Sequence, residues 1–225
     1  MTSASERRAR LRGLYAVTPG ATGTPRLAGL VSAAIEGGAR LVQYRAKATA
    51  PEERQRQAEA LLALCRDRGV PLIVNDDLAL AAAIGADGVH LGRDDGDPRD
   101  ARARLPDAIL GVSCYADAGL AVAAAEAGAD YVGIGSVFAS ATKPAAVRAA
   151  PALLGEARRR AGLPVAAIGG ITAANAPVAV AAGADMIAVI SALFDAPDVA
   201  AAARALSLPF ATDAHPHART QPAAL

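Results

Sequence analysis

Aromatic residues are scarce in this sequence of 225 residues, at 3% of the total, and tryptophan is absent. Hydrophobic residues of all kinds nevertheless make up 53%, so the core must be built from aliphatic side chains and alanine. A single domain of this length buries roughly 70–75% of the surface that its unfolded chain exposes. The composition therefore predicts one tightly packed α/β domain, and no linker divides the chain.

Cysteine is also scarce, and neither sign of charge is in clear excess. The two cysteines, Cys65 and Cys114, lie far apart and in no metal-like spacing, which argues against a disulfide framework or a zinc site. They suit a reducing cytoplasm. With 23 basic and 22 acidic residues the net charge is +1, so the overall charge attracts neither nucleic acid nor an anionic membrane. Any site for a polyanion must be local.

Long apolar runs are missing as well. No stretch approaches the roughly 18–20 uninterrupted apolar residues that a membrane span needs. The first residues, MTSASERRARLRG, lack the apolar segment of a secretory signal and predict a disordered head over residues 1–11. The end of the chain predicts a disordered tail over residues 209–225, in which His215 and His217 are expected to be solvated.

A short phrase recurs four times along the chain. Glycine and alanine are followed by a charged residue and a short apolar run in GGARLVQYR, IGADGVHLG, AGADYVGIG and AGADMIAVI, which begin at Gly37, Ile84, Ala127 and Ala182. The glycine suits a helix C-terminus, because it adopts the left-handed conformation without penalty. The apolar run is too short for a helix and is typical of a strand covered on both faces. The phrase therefore indicates a helix followed by a buried strand.

Further apolar runs between these repeats bring the predicted strands to eight. We expect strands at about 12–18, 40–45, 71–75, 87–91, 109–113, 130–135, 164–168 and 185–190. We expect helices at about 25–37, 51–69, 77–84, 98–104, 116–127, 150–161, 172–182 and 197–206. This alternation predicts a single-domain (β/α)8 TIM barrel over residues 12–208. A doubly wound open sheet is the alternative, but TPGATGTP at 18–25 matches neither nucleotide-binding fingerprint.

Polar residues follow the predicted strands at the end where such barrels carry their active sites. Carboxylates follow the third and fourth strands, cations follow the second and sixth, and Gly170 and Ser191 follow the seventh and eighth. Carboxylates with water and a phosphorylated ligand hold Mg²⁺, and Arg and Lys around the metal clamp a diphosphate. Backbone N–H groups after the last two strands are the usual phosphate site of these barrels. The sequence therefore indicates two anion sites.

Some of these residues also have structural interpretations. We expect Asp77 to cap the helix that follows it, Asp94 and Asp97 to belong to a turn, Cys114 to be a bystander, and His90 to be a packed, hydrogen-bonded side chain. These interpretations leave the concentration of charge at one end of the barrel unexplained.

Seven motifs occur in order: QYRAK, VNDD, ADGVHLGRDD, GVSCY, DYVGIGSVFASATKP, AIGGI and GADMIAVISALF. Together they closely resemble the thiamine-phosphate synthase family over about residues 14–206. The resemblance implies a cytoplasmic transferase of thiamine diphosphate biosynthesis. It would condense 4-amino-2-methyl-5-(diphosphooxymethyl)pyrimidine with 4-methyl-5-(2-phosphooxyethyl)thiazole, or its carboxylated form, to give thiamine phosphate and pyrophosphate.

The resemblance also implies roles for individual residues. Asp76 and Asp95 match the Mg²⁺ ligands. The residues matched to catalysis are Arg45, Lys47, Ser113 and Lys143. The residues matched to substrate binding are Gln43, Tyr44, Arg45, Ala46, Lys47, Asn75, Ser113, Ser140, Ala141, Thr142 and Lys143, with backbone at Gly170, Ile190 and Ser191. The chain departs from the common family pattern at Arg93, Ala46 and Ser140, and Arg93 is open to two roles, binding diphosphate or pairing with Asp94.

Two rival functions remain at this point. A thiazole tautomerase-like barrel would need no diphosphate clamp, and a non-catalytic sensor would need only the phosphate site after the last two strands. Neither explains Asp76, Asp95, Arg45 and Lys143. A homo-oligomer stays open, since the Ala-rich helix faces could pack on a second copy.

Overall fold

The centre of the computed structural model, which describes residues 3–20, 22–139 and 147–211, is a closed parallel barrel of eight strands. The strands are β1 (Gly13–Val17), β2 (Ala39–Tyr44), β3 (Leu72–Asn75), β4 (Gly88–Leu91), β5 (Ile109–Tyr115), β6 (Tyr131–Ile134), β7 (Val165–Ile168) and β8 (Met186–Val189). Each strand pairs with the next in the chain, and β8 pairs with β1. The predicted single-domain (β/α)8 barrel is confirmed.

Helices alternate with the strands and surround the barrel. They are α1 (Ala4–Ala9), α2 (Thr24–Glu36), α3 (Pro51–Asp67), α4 (Leu78–Ile84), α5 (Pro98–Arg104), α6 (Ala118–Glu126), α7 (Ala152–Ala161), α8 (Ala176–Ala181), α9 (Ser191–Phe194) and α10 (Val199–Ser207), followed by a 3₁₀ turn (Leu208–Phe210). Four of them start at an aspartate whose side chain accepts a backbone N–H of the first turn: Asp77, Asp97, Asp117 and Asp198. None of the helices in the described ranges is long and apolar enough to cross a membrane.

The recurrent aspartate of the repeated phrase joins neighbouring strands. Asp87, Asp130 and Asp185 each accept the backbone N–H of a residue at the start of the preceding strand, at 2.9–3.0 Å. Each also pairs with an arginine of a helix that precedes it: Arg66 of α3, Arg102 of α5 and Arg158 of α7. The repeat thus fixes the register of three strand pairs at the amino end of the barrel.

Alternate side chains of each strand form two separate layers. One set, including Val42, Val89 and Val132, packs against the helices in the main core. The other set fills the barrel and includes Leu41, Ile73, Met186 and two tyrosines. Interior positions on β4, β5 and β6 are glycines: Gly88, Gly111 and Gly133. Gly111 and Gly133 leave the room that Tyr131 and His90 occupy, and Gly88 leaves room for Ile73.

The structure differs from the sequence-based prediction at several places. Residues 4–9 of the predicted disordered head form α1, because Ser3 and Glu6 make a reciprocal capping box and Arg7 pairs with Asp130 at 3.3 Å. The helix predicted from residue 172 begins at Ala176, since the Asn175 side chain forms a turn with Thr172 and Gly170. The short helix α9 was not predicted. Residues 209–210 of the predicted disordered tail belong to the 3₁₀ turn, and the tail prediction for residues 212–225 lies outside the described residues.

Candidate active site

A cavity of about 450 Å³ opens at the carboxyl ends of β2 and β3. Its polar lining brings together side chains that the sequence placed at separate strand exits, Lys47, Asn75, Asp76, Asp77 and Asp95, and adds Arg54 of α3, which was not predicted. Three carboxylates and two cations therefore share one mouth of the barrel. The predicted clustering of charge at this end is seen directly in this cavity.

Asp76 stands at the centre of the charged group. Its carboxylate lies 3.0 Å from the Lys47 ammonium and within hydrogen-bond reach of the Asp95 carboxyl. Its backbone is left-handed, with φ of 65°, a conformation that costs an aspartate roughly 1–2 kcal/mol. The Asp76 N–H donates to the His90 carbonyl at 2.9 Å and so fixes this turn against β4.

The two paired carboxyls have opposite pKa shifts. Burial alone would raise the pKa of Asp76, but hydrogen bonds and the Lys47 charge hold it below the usual value. Burial and the neighbouring Asp76 carboxylate raise the pKa of Asp95, which also accepts the Gly92 N–H at 2.8 Å. Two adjacent carboxylates repel each other, and a divalent cation bound by both would relieve that repulsion.

Asp77, the next residue, has a structural role as predicted. Its side chain accepts the Leu80 N–H at 2.8 Å and caps α4. Its other contact is the Arg54 guanidinium at 3.3 Å. Two successive aspartates thus face different partners, and Asp76 alone of the two meets Asp95.

The exit of β2 is tied to β1 by a buried threonine. Thr18 accepts the Arg45 N–H at 2.8 Å through its hydroxyl, and its own N–H donates to the Gln43 carbonyl at 2.8 Å. Among the residues that the structure describes, no carboxylate pairs with the Arg45 side chain. Tyr44 faces the helix layer and its hydroxyl donates to Gln57 at 2.9 Å, so at this position only the backbone remains for a substrate.

A bulge at the end of β5 separates three neighbouring side chains. The register with β6 shifts between Ser113 and Tyr115, and Cys114 is fully buried among the aliphatic side chains. Burial raises the pKa of the Cys114 thiol to about 12, which agrees with the bystander role. The Arg93 guanidinium lies 4.8 Å from the centre of the Tyr115 ring, and within the described ranges it forms no ion pair with Asp94.

Ser113 begins a line of hydrogen bonds that crosses the barrel interior. The Ser113 hydroxyl lies 2.8 Å from His90 Nε2, and His90 Nδ1 lies 2.9 Å from the Tyr131 hydroxyl. Tyr131 contacts the Tyr15 hydroxyl at 2.7 Å, and Gln43 Nε2 donates to Tyr15 at 2.7 Å. We call these five side chains the barrel relay. Burial raises the pKa of both phenols, so both stay protonated.

The His90 side chain is expected to make the folded protein less stable in acid. Burial lowers its pKa from 6.5 to about 4, so the unfolded chain binds a proton that the folded chain refuses between these values. The free energy of unfolding should therefore fall by roughly 3 kcal/mol on His90's account as the pH drops from 7 to 4. Urea unfolding of the wild type and of His90→Gln across this range measures it. Parallel pH profiles for the two proteins would contradict the expectation.

The predicted phosphate site lies at the exits of β7 and β8, which are neighbours in the barrel. Gly170 has φ of 63°, and a side chain there would collide with Phe138 and Ala139. Ile190 precedes α9, and Ser191 is its first residue. The predicted site residues Ser140, Ala141, Thr142 and Lys143 lie outside the described residues.

Sequence reasoning missed Tyr15 and Tyr131, and it gave His90 only a packing role. That role is confirmed, yet both ring nitrogens also join the relay to Ser113. A signal was available, because a tyrosine inside a predicted strand is conspicuous in a chain with 3% aromatic residues. The interior glycines near these side chains were a second signal.

Comparison with known proteins agrees with this architecture. A family model described as thiamine monophosphate synthase matches residues 14–193. Thiamine-phosphate synthase from Thiobacillus denitrificans is 57% identical over 202 residues, which cover 89% of this chain and 96% of that protein. The enzyme of the same name from Chromobacterium violaceum is 56% identical over 199 residues, with 88% and 96% covered.

Solved structures give the same result. Thiamine phosphate pyrophosphorylase from Pyrococcus furiosus has a TM-score of 0.82 at 34% identity, with 92% of this chain and 98% of that chain covered. A 3-hexulose-6-phosphate synthase, with a TM-score of 0.68 and 20% identity, shares the fold alone. The chain belongs to the thiamine monophosphate synthase family.

Proposed function

We propose that this protein condenses the aminopyrimidine diphosphate with the thiazole phosphate to give thiamine phosphate and pyrophosphate. From the carboxylated form of the thiazole, CO2 is released as well. The observation that carries the proposal is the Asp76–Asp95 pair beside Lys47 at the mouth of the barrel. A diphosphate leaving group needs this combination of metal ligands and cations, and the family to which the chain belongs supports the reaction.

The residues at this mouth fit Mg²⁺. Asp76 and Asp95 offer two carboxylates within reach of each other, and no group of three or more acidic, His or Cys ligands occurs among the described residues. This is the arrangement that Mg²⁺ uses when water and substrate phosphate complete its shell. When bound, the metal would neutralise charge that develops on the departing diphosphate.

The side chains of this chain would hold the diphosphate in place. Lys47 is the cation nearest to the carboxylate pair, at 3.0 Å from Asp76. Arg45 is positioned by Thr18 at the same strand exit, and Asn75 hydrogen-bonds Asp76. We assign Arg45, Lys47, Asn75 and Lys143 to the leaving group, because donors that match a developing charge lower the barrier most.

The remaining site residues would place the reacting methylene carbon against the thiazole nitrogen. We assign Gln43 and Ser113 to the pyrimidine ring, Ser140 and Thr142 to the thiazole, and backbone at Gly170, Ile190 and Ser191 to its phosphate. The bond between the exocyclic methylene and the diphosphate oxygen breaks, and oxygen keeps the electron pair. The thiazole nitrogen then bonds to the methylene with its own lone pair, so no protein base is required and positioning dominates.

A coupling assay on the purified protein tests the proposal. Both substrates and Mg²⁺ are supplied, thiamine phosphate is detected by mass and pyrophosphate is counted in parallel. We expect equal amounts of the two products, and none when either substrate is omitted. Thiazole conversion without the pyrimidine would favour the tautomerase alternative, and Mg²⁺-independent binding without turnover would favour the sensor.

We also propose a cytoplasmic location. Both cysteines are free and buried, and each thiol has its pKa raised to about 12 by burial. Such thiols are compatible with a reducing compartment. The substrates are phosphorylated small molecules, which are retained on the side of a membrane where they are made.

A further inference from the structure

The barrel relay has a direction that its hydrogen atoms fix. Gln43 Nε2 donates to the Tyr15 oxygen, so the Tyr15 proton must go elsewhere. Within the described chain its only acceptor is the Tyr131 oxygen at 2.7 Å. The Tyr131 proton then goes to His90 Nδ1. His90 therefore carries its proton on Nε2 and donates it to the Ser113 oxygen.

With the Gln43 amide nitrogen at Tyr15, any other proton arrangement leaves a buried group unpaired. If His90 Nδ1 carried a proton, Tyr131 would donate to Tyr15, and the Tyr15 proton would have no acceptor in the described part of the chain. A doubly protonated His90 has the same consequence. Because a buried donor without an acceptor is costly, the forward direction is strongly favoured. A complete reversal would need the Gln43 oxygen at Tyr15, where the amide nitrogen lies.

The interior glycines keep this arrangement possible. A Cβ at Gly111 would collide with the Tyr131 ring and hydroxyl and would lie 2.5 Å from His90 Nδ1, at the hydrogen bond that joins them. A Cβ at Gly133 would lie 3.3 Å from the His90 ring. The Tyr15 and Tyr131 rings pack edge to face with centroids 5.8 Å apart, which restrains both hydroxyls.

The direction of the hydrogen bonds determines which polar atoms Gln43 and Ser113 leave available to a ligand. The Ser113 oxygen is occupied by His90, so its proton is available as a donor. The Gln43 nitrogen is used by Tyr15, and the Gln43 oxygen, which has no partner among the described residues, is available as an acceptor. The two ends, Gln43 on β2 and Ser113 on β5, therefore offer one acceptor and one donor.

We propose that Tyr15, Tyr131 and His90 are positioning residues that make this site selective for a 4-aminopyrimidine over a 4-oxopyrimidine. The inference rests on the proposed function, in which Gln43 and Ser113 contact the pyrimidine. A 4-aminopyrimidine has an amino donor beside a ring-nitrogen acceptor, and this pattern complements the Gln43 oxygen and the Ser113 proton. The 4-oxo form has an acceptor beside an N–H donor, so both contacts become repulsive.

The tautomer of His90 tests the direction without any catalysis. Nitrogen-15 NMR of the whole protein reports which ring nitrogen carries the proton, and His90→Gln identifies the signal among the three histidines. We expect the Nε2–H form in the wild type and a mixture of tautomers in Tyr131→Phe, which removes the hydroxyl that fixes Nδ1 as acceptor. A wild-type Nδ1–H form would overturn the proposal, whether or not the protein is an enzyme.

The preference for the amino over the oxo pyrimidine tests the proposed consequence of the relay's direction. We expect the wild type to use the aminopyrimidine diphosphate at least about a hundredfold better than the 4-oxo analogue in kcat/KM, and Tyr131→Phe to lose at least about tenfold of that preference. The KM for the thiazole phosphate should stay unchanged. Val132→Ala, a neighbour on β6 that faces the helix layer, controls for loss of packing and should keep the preference.

Failures of the two proposals are distinguishable. If the wild type forms product but Tyr131→Phe keeps full selectivity, the relay proposal is overturned and the proposed function stands. If the wild type forms no product, the proposed function fails, and calorimetric binding of the amino and oxo pyrimidine monophosphates decides selectivity. Equal binding of the two would overturn the relay proposal. Tyr15→Phe replaces Tyr131→Phe if the latter does not fold.

Discussion

Asp76→Asn is expected to lower kcat/KM for the condensation by about a thousandfold, which corresponds to roughly 4 kcal/mol of lost transition-state stabilisation. Asp76 pairs with Lys47 at 3.0 Å and lies against Asp95. Asparagine keeps the shape and a hydrogen-bonding oxygen but removes the charge that would hold a divalent cation. Steady-state kinetics with both substrates at saturating Mg²⁺ measure the loss.

Asp77→Asn is the matched control, since it makes the same chemical change one residue along the chain. Asparagine caps a helix about as well as aspartate, and the Arg54 ion pair that is lost is half-exposed and contributes only about 0–1 kcal/mol. We expect kcat/KM to stay within about threefold of the wild type. Similar losses in the two variants would refute the assignment of Asp76 to the metal.

Asp130→Ala is expected to destabilise the fold by about 3–5 kcal/mol, the typical cost of removing one partner of a buried ion pair. The Asp130 side chain is 1% exposed and lies 2.6 Å from Arg102 and 3.3 Å from Arg7. It also accepts the Leu110 N–H at 3.0 Å. The substitution would leave this N–H without its acceptor and would remove the carboxylate that faces both guanidinium groups, although Arg102 keeps its backbone carbonyl partners. It would also weaken the attachment of α1 to the barrel.

Asp185 and Asp87 occupy equivalent positions before other strands, so the three losses of stability can be ranked by burial. The side chain of Asp185 is 13% exposed and that of Asp87 is 29% exposed, and each makes the same bond to the preceding strand. Burial raises the pKa of Asp185, which offsets part of its contribution. We expect urea unfolding to rank the losses as Asp130 largest, Asp185 intermediate and Asp87 smallest, at about 1 kcal/mol. Equal losses would show that burial does not decide the cost.

Local patterns were sufficient for the barrel. The Gly-Ala-charge phrase marks the junction of helix and strand, and the structure gives the charge a function in Asp87, Asp130 and Asp185. The helix α1 was missed because its sequence has no apolar face. Its capping box was readable at Ser3 and Glu6, but its anchor, Asp130, lies more than 120 residues away in the chain.

The candidate site also has a part that the sequence predicts and a part that it does not. Residues at strand exits could be placed from the sequence, because all exits of a parallel barrel meet at one end. The barrel relay could not, since Tyr15 on β1 and Tyr131 on β6 belong to strands that are not neighbours and meet only across the closed interior. The capping role of Asp77 could be predicted from the sequence, but the left-handed backbone that turns Asp76 toward Asp95 could not.

The central claim is that the Asp76–Asp95 pair takes part in a metal-assisted release of diphosphate. The most direct measurement is the rate of thiamine phosphate formation by the same protein sample with Mg²⁺, after chelation with EDTA, and after Mg²⁺ is restored. We predict that EDTA lowers the rate at least about a hundredfold and that restored Mg²⁺ recovers it fully. An unchanged rate in EDTA would contradict the account.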